Sequence, residues 1–191
     1  MKLHSIFGRT VIACLIVVGI LIGLSGVAQS TEVHVTPATR ISTKDRVLGP
    51  LASSQTIHVV ISLNLRNQAE LKTFLANPHH KTLTPAQFKQ AYSPTDAQVA
   101  LVVNFLHQAG FTSITVASNR QLVSADAPAS TVQAAFHTQL VSVAMHDGRN
   151  AYANSTPAEI PKSLIDIVHG IMGLQTVNEL HSLSHLVPMS N

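Results

Sequence analysis

Any chemistry in this chain has to come from histidine and carboxylate side chains, because its only thiol is Cys14. One cysteine can neither close an internal disulfide nor build a cysteine zinc site. Eleven histidines are many for 191 residues, and two of them are adjacent at His79-His80. A metal site needs convergent ligands, whereas neighbouring histidines in a loop point apart. No histidine joins them at helical spacing, so they are read as solvated loop side chains and no metal ligand is assigned. The nine acidic residues are scattered, and no pair sits in a context that forces the convergence needed for acid and base work. Neither a phosphate-cradling glycine loop nor a nucleophile-elbow motif occurs. No catalytic residue and no cofactor is therefore expected. The histidines keep an electrostatic use: imidazole gains charge at about pH 5 to 7, so an interface holding several of them weakens on acidification.

The elements that would position these residues follow from periodicity and punctuation. Residues 93–125 are the best-defined stretch. Ser93-Pro94-Thr95-Asp96 predicts a helix start, with Ser93 as the cap and Pro94 at the first helical position, and Gly110 supplies the stop. Val99, Val102, Val103 and Leu106 lie at i, i+3, i+4 and i+7 on one helical side. Two short runs, 113–117 and 121–125, flank the turn-forming Ser118-Asn119 and predict a hairpin beneath that stripe.

Upstream, residues 57–65 alternate. Ile57, Val59, Ile61, Leu63 and Leu65 share one face of a strand, and His58, Val60, Ser62 and Asn64 share the other. Asn67 is placed to cap a helix over 68–75 with Leu71, Phe74 and Leu75 inward. Thr84, Pro85 and Gln87 then predict a second short helix anchored by Phe88. Downstream come a helix at about 130–138 with Val132, Ala135 and Phe136, and a strand at 140–145. A turn at Asp147-Gly148 and a short edge strand at 150–153 follow. Pro161 opens a final helical turn containing Leu164, Ile165 and Val168, and 171–174 is a last extended piece. The order strand, helices, strand, strand, helix, strand predicts an α+β, ferredoxin-like fold: a mostly antiparallel sheet with helices packed on one face. Such a fold leaves the other face open.

The chain ends differ in kind from this domain. Lys2, His4 and Arg9 precede an uncharged apolar run over 11–24, followed by the small residues Ser25, Gly26 and Ala28. That layout predicts a secretory signal peptide over 1–30, cleaved after Ala28 or Ser30. An uncleaved membrane anchor is the alternative, since 11–28 reaches the roughly 18 residues that permit spanning. A lipid-attachment box at Cys14 is disfavoured, because the apolar run follows the cysteine instead of preceding it. Residues 31–55 contain Pro37 and Pro50 without sustained periodicity and read as a flexible leader; 56–177 form the domain and 178–191 a tail. Without Lys2 and Arg9 the remaining basic residues nearly balance the nine acids, and no basic run is interleaved with aromatics. Nucleic-acid binding is not expected. The expected location is secreted or periplasmic, with membrane contact only if the N-terminal segment stays uncleaved.

Several short motifs then fall into one series. They are Ile57 to Asn67 (IHVVISLNLRN) with Leu71, Leu83-Thr84-Pro85-Ala86-Gln87-Phe88, and Tyr92-Ser93-Pro94-Thr95-Asp96. Phe105-Leu106 to Ala109-Gly110, Asn119-Arg120 to Val123, Val132 to Ala135-Phe136-His137-Thr138, Tyr152-Ala153-Asn154, Ile160-Pro161, Leu164, Val168 and Gly173-Leu174 continue it. In order and spacing, the segment from Arg46 to Val177 resembles the activation domain, or propeptide, of the sedolisin and kumamolisin serine-carboxyl peptidases. It departs from that pattern at His79 and Thr82, where tyrosines are usual, at Phe105, where tryptophan is usual, and over 125–129, which lacks the usual Gly-Thr.

The resemblance implies a propeptide's role, namely assisting the folding of a peptidase, covering its cleft and leaving at acid pH, and it does not imply hydrolysis. It makes a sedolisin-type catalytic domain the expected partner, bound as by an inhibitor or folding helper, with His58, Val60, Ser62 and Thr115 as the candidate partner face. Two other readings remain at this stage: a non-catalytic binding or structural module of the cell envelope, and a truncated peptidase precursor.

Overall fold

The computed structural model describes residues 32–79 and 81–178. The apolar segment read as signal peptide or anchor, its cleavage points, His80 and the tail beyond Asn178 lie outside the described residues. Among the described residues, no helix is long and apolar enough to cross a membrane.

The alternating stretch forms strand β3 (Thr56–Leu63) at the centre of the main sheet. Ile57, Val59, Ile61 and Leu63 are buried, while His58, Val60 and Ser62 face outward. Each inward side chain contributes about 1.5 to 3 kcal/mol, an upper bound because the unfolded chain is already partly collapsed. On one side β3 pairs antiparallel with β5 (Leu122–Pro128), which pairs antiparallel with β4 (Thr112–Val116). On its other side β3 pairs antiparallel with β9 (Val168–Met172), giving the order β4-β5-β3-β9.

Helices α3 (Asp96–Ala109) and α4 (Ala129–Ala135) pack on the inner face of this sheet. Val99, Val102 and Leu106 are buried and Val103 partly so, as the stripe requires. The chain thus has the expected α+β architecture, with antiparallel strands and helices on one face of the main sheet.

The start of α3 differs from expectation. Thr95 is the cap: its hydroxyl accepts from the backbone N–H of Gln98, and the Gln98 side chain accepts from the Thr95 N–H. This reciprocal box outcompetes Ser93, whose backbone is held extended by the following proline and serves instead as the C-terminal cap of α2 (Pro85–Tyr92). Gly110 ends α3 in the left-handed conformation, as expected. Thr84 caps α2 with the expected Gln87 box and Pro85, but its buried anchor is Tyr92; Phe88 is half-buried, its ring 5.4 Å from that of Tyr92. Asn67 precedes α1 (Gln68–Ala76) in a left-handed conformation and does not cap it; its amide donates to the Ala91 carbonyl.

Arg66 ties these short helices to β3. Its Nε donates to the Ser93 carbonyl at 2.6 Å and its Nη2 to the Gln90 carbonyl at 2.7 Å, both at the C-terminal end of α2. Arg66→Met keeps the aliphatic stem but loses both charge-assisted bonds, at an expected cost of about 1.5 to 3 kcal/mol. Arg66→Lys should recover only part of it, because an ammonium cannot fork. Urea midpoints for the two variants check this; equal stability of wild type and Arg66→Met refutes the tie.

The stretch 31–55, expected as a leader, contains two paired strands. β1 (Glu32–Thr36) pairs antiparallel with β8 (Ala158–Pro161), and β2 (Arg46–Pro50) with β6 (Leu140–Ala144). Alternation is missing from β2 because it is an edge strand, with Val47 and Leu48 both exposed. The strand expected to complete the main sheet, 140–145, belongs to a separate three-stranded sheet, β2-β6-β7, with β7 (Asn150–Asn154) as its predicted edge. β9 takes the place beside β3. The helical turn after Pro161 is limited to the 3-10 turn Lys162–Leu164, so Val168 starts a strand instead of ending a helix.

A polar clasp joins this second sheet to the preceding turn. Asp45 Oδ1 accepts both the His146 backbone N–H at 2.9 Å and ring Nδ1 at 2.8 Å, with its side chain 3% exposed. One turn on, Asp147 accepts the backbone and guanidinium N–H groups of Arg149. These bonds, the backbone donor first in each case, hold both carboxyls below the ordinary aspartate value of 3.8. A lowered native pKa gives stabilisation that is full above the ordinary value and lost as pH falls through the native one. The urea midpoint of the wild type should therefore fall on acidification below pH 3.8. Asp45→Asn should lower the midpoint at pH 7 and flatten the acid limb; parallel pH curves for the two proteins contradict the clasp.

Candidate partner-binding face

Among the described residues, one face of the main sheet carries no helix. Because side chains alternate, His58, Val60 and Ser62 emerge together on its central strand. The register then decides their neighbours. Ser124 of β5 lies between Val60 of β3 and Thr115 of β4, and Met172 of β9 lies on the far side of Val60. One row across the sheet thus reads Thr115, Ser124, Val60, Met172. On either side of it stand the pairs His58 with Asp126 and Ser62 with Leu122. The register shift between Thr112 and Thr115 brings Thr115 into this row. The register therefore puts His58, Val60, Ser62 and Thr115 on the same side of the sheet.

Its polar groups are bonded largely among themselves. The Thr115 and Ser124 hydroxyls are 2.7 Å apart, and Ser62 Oγ donates to the Gly170 carbonyl at 3.2 Å. His58 Nδ1 lies 2.6 Å from Asp126 Oδ1, and Thr112 Oγ1 donates to the Asp126 carbonyl at 3.2 Å. The carboxylate is an acceptor, so Nδ1 carries the proton of this bond, and the His58 side chain is 62% exposed. Leu122 and Met172 add exposed apolar surface. Polar groups already paired within the face cost less to remove from water than unpaired ones. Such a surface suits a protein partner better than a phosphate or a small charged ligand.

Sequence reasoning missed Ser124, Asp126, Leu122 and Met172. Leu122 and Ser124 already fall in the run read at 121–125, and carrying its alternation on to 128 adds Asp126; Met172 falls in the extended piece at 171–174, whose pairing with β3 only the register reveals. Among the described residues, His58 is the histidine that the sheet register places in these rows. His146 belongs to the Asp45 clasp, and His79 is an exposed loop residue. No group of three or more histidine, cysteine or acidic side chains able to hold a metal ion occurs among the described residues.

Among the described residues, this is an α+β domain with helices on one face of its main sheet and the other face open. Its family is specific: residues 44–177 match the model for the pro-kumamolisin activation domain, and the chain belongs to that family. It is 39% identical over 160 residues to sedolisin from Pseudomonas sp. (strain 101), a match covering 80% of this chain and 27% of sedolisin. It is 42% identical over 143 residues to xanthomonalisin from Xanthomonas sp. (strain T-22), covering 71% of this chain and 17% of that protein. The chain therefore spans about a quarter or less of the length of these relatives. The resemblance read from the motif series is shown, and the matched region is an activation domain, a non-catalytic part of such precursors.

Proposed function

We propose that this domain binds the catalytic domain of a sedolisin-type serine peptidase through its open sheet face and acts there as inhibitor or folding helper. The observation that carries the proposal is the row Thr115, Ser124, Val60, Met172, an uncovered and nearly uncharged surface in a domain of activation-domain type. A surface of this kind contributes affinity through apolar contact at its centre, with the hydroxyls and the His58–Asp126 pair fixing orientation at the flanks. The charged start and apolar run over 11–24 favour action outside the cytoplasm.

The test is to titrate the full chain into sedolisin and follow both hydrolysis and recovery from denaturant across pH. Inhibition or faster refolding is expected. Met172→Lys, at an exposed position, should raise the inhibition constant about tenfold or more, equivalent to 1.4 kcal/mol, with the fold intact. Absence of both effects at every pH refutes the proposal, and an unchanged constant for Met172→Lys refutes the assigned face.

A further inference from the structure

A second surface, at the end of β3 beyond the contact row, has the character of a peptide groove. It lies beside α1, has a volume of about 650 Å³, and is walled by Leu63, Leu65, Leu71 and Leu75. Lys72 and His169 are the ionisable side chains among its lining residues, and among the described residues no carboxylate lines it. Helix α1 has nine residues and none of them is buried; Leu75 is 58% exposed. Isolated helices shorter than about 12 to 15 residues are marginal in water, so a helix of this length gains its stability from tertiary cover. The cover on the groove side is incomplete.

The groove is nonetheless built in place. Asn64 Nδ2 donates to the Asp166 and Val168 carbonyls, fixing the junction of β3 and β9, and the Gln68 amide donates to the Leu65 carbonyl at the helix start. Apolar walls with the Lys72 ammonium among them call for a complement of opposite pattern. We infer that this groove receives an amphipathic peptide segment of the partner, with leucine-like side chains on one side and carboxylates flanking them. Which protein supplies the segment rests on the proposed function above, whereas the groove's chemistry does not. Such a segment would lie along α1, whose nine residues span about 13 Å. Its carboxylates would meet Lys72 and His169, and its apolar side chains would complete the cover of Leu71 and Leu75.

The probe is a fluorescein-labelled peptide about as long as α1, with leucines at helical spacing and glutamates elsewhere, beside a twin carrying lysines. Fluorescence polarisation with the full chain should give a dissociation constant about tenfold lower for the acidic peptide. Lys72→Glu should reverse the preference, and Leu75→Gln should weaken both peptides, with helical content unchanged by circular dichroism. Met172→Lys should leave peptide binding as it was, which separates the groove from the open sheet face. Equal binding of the twins, no binding, or binding of oleate but neither peptide overturns the inference. The assay contains no peptidase, so failure here is distinguishable from failure of the inhibition experiment.

Discussion

Replacing Gly173 by alanine should cost about 4 kcal/mol or more and leave the domain marginally folded or unfolded at 25 °C. Gly173 has φ of +88°, a conformation that costs an ordinary residue about 1 to 2 kcal/mol. The larger penalty is steric. A Cβ built on it would lie 2.1 Å from the His58 carbonyl oxygen and 3.2 Å from both the His58 carbonyl carbon and Val59 Cα. Those atoms are backbone of the central strand, so no rotamer change relieves the clash. The approach exists because Gly173 directly follows β9, paired with β3 as far as Met172, and is held there by the Tyr152 hydroxyl, which donates to the Gly173 carbonyl, and by buried Leu174 beyond it.

Gly148→Ala is the control, with φ of +89° and nothing within 4 Å of the added Cβ. It should cost only about 1 kcal/mol. Urea unfolding of the two variants isolates the steric contact from the backbone conformation; equal losses would remove the close approach as an explanation. Because the clash falls on His58, any Gly173→Ala protein that still folds should also lose affinity for a partner at the open face.

The sequence pattern revealed the parts of the fold whose signals are local. The alternation of 57–63 is imposed by one buried and one open face, and the boxes at Thr84 and Gly110's stop are each contained within a few residues. The start of α3 was misread because Ser93-Pro94 and Thr95-Gln98 are both plausible cap patterns in isolation. Tertiary context chose between them: Ser93 is buried, and its carbonyl is taken by Arg66. Strands β1 and β2 were illegible for a related reason, and of β9 only the end that overlaps the extended piece at 171–174 was read. Each is five residues long, β1 and β2 find their partners more than 90 residues away, and the outer one of the small sheet buries too little to alternate.

The candidate site shows the same division. Parity along β3 was enough to put His58, Val60 and Ser62 on one face. Cross-strand neighbours depend on register, which is set by the bulge between Thr112 and Thr115 and by the arrival of β9. Thus the central strand of the face was readable, and the residues that make it a continuous surface, Ser124 and Met172 above all, required the fold.

Phe136→Ala should destabilise the domain by about 3 to 5 kcal/mol, the range for deleting a fully buried aromatic ring. Phe136 is 0% exposed at the end of α4 and, among the described residues, is the largest of the fully buried side chains. Its ring lies 5.6 Å from that of Phe111 and 6.1 Å from that of Phe105, both tilted. It therefore fills the space where α4, α3 and the residue leading into β4 meet. Its carbonyl also accepts the Glu159 N–H, which connects this corner to β8. Truncation opens a cavity beside the two other rings, and these cannot fill it without shifting the elements that carry them. Yet Phe136 lies among the core side chains packed on the covered side of the sheet, while the proposed contact row faces away from it. The substitution should then lower the urea midpoint sharply but leave inhibition per folded molecule unchanged. Met172→Lys should do the opposite. If Phe136→Ala weakened partner binding more than its unfolded fraction accounts for, the helical layer would itself belong to the interface, and the division of labour between covered and open faces would be wrong.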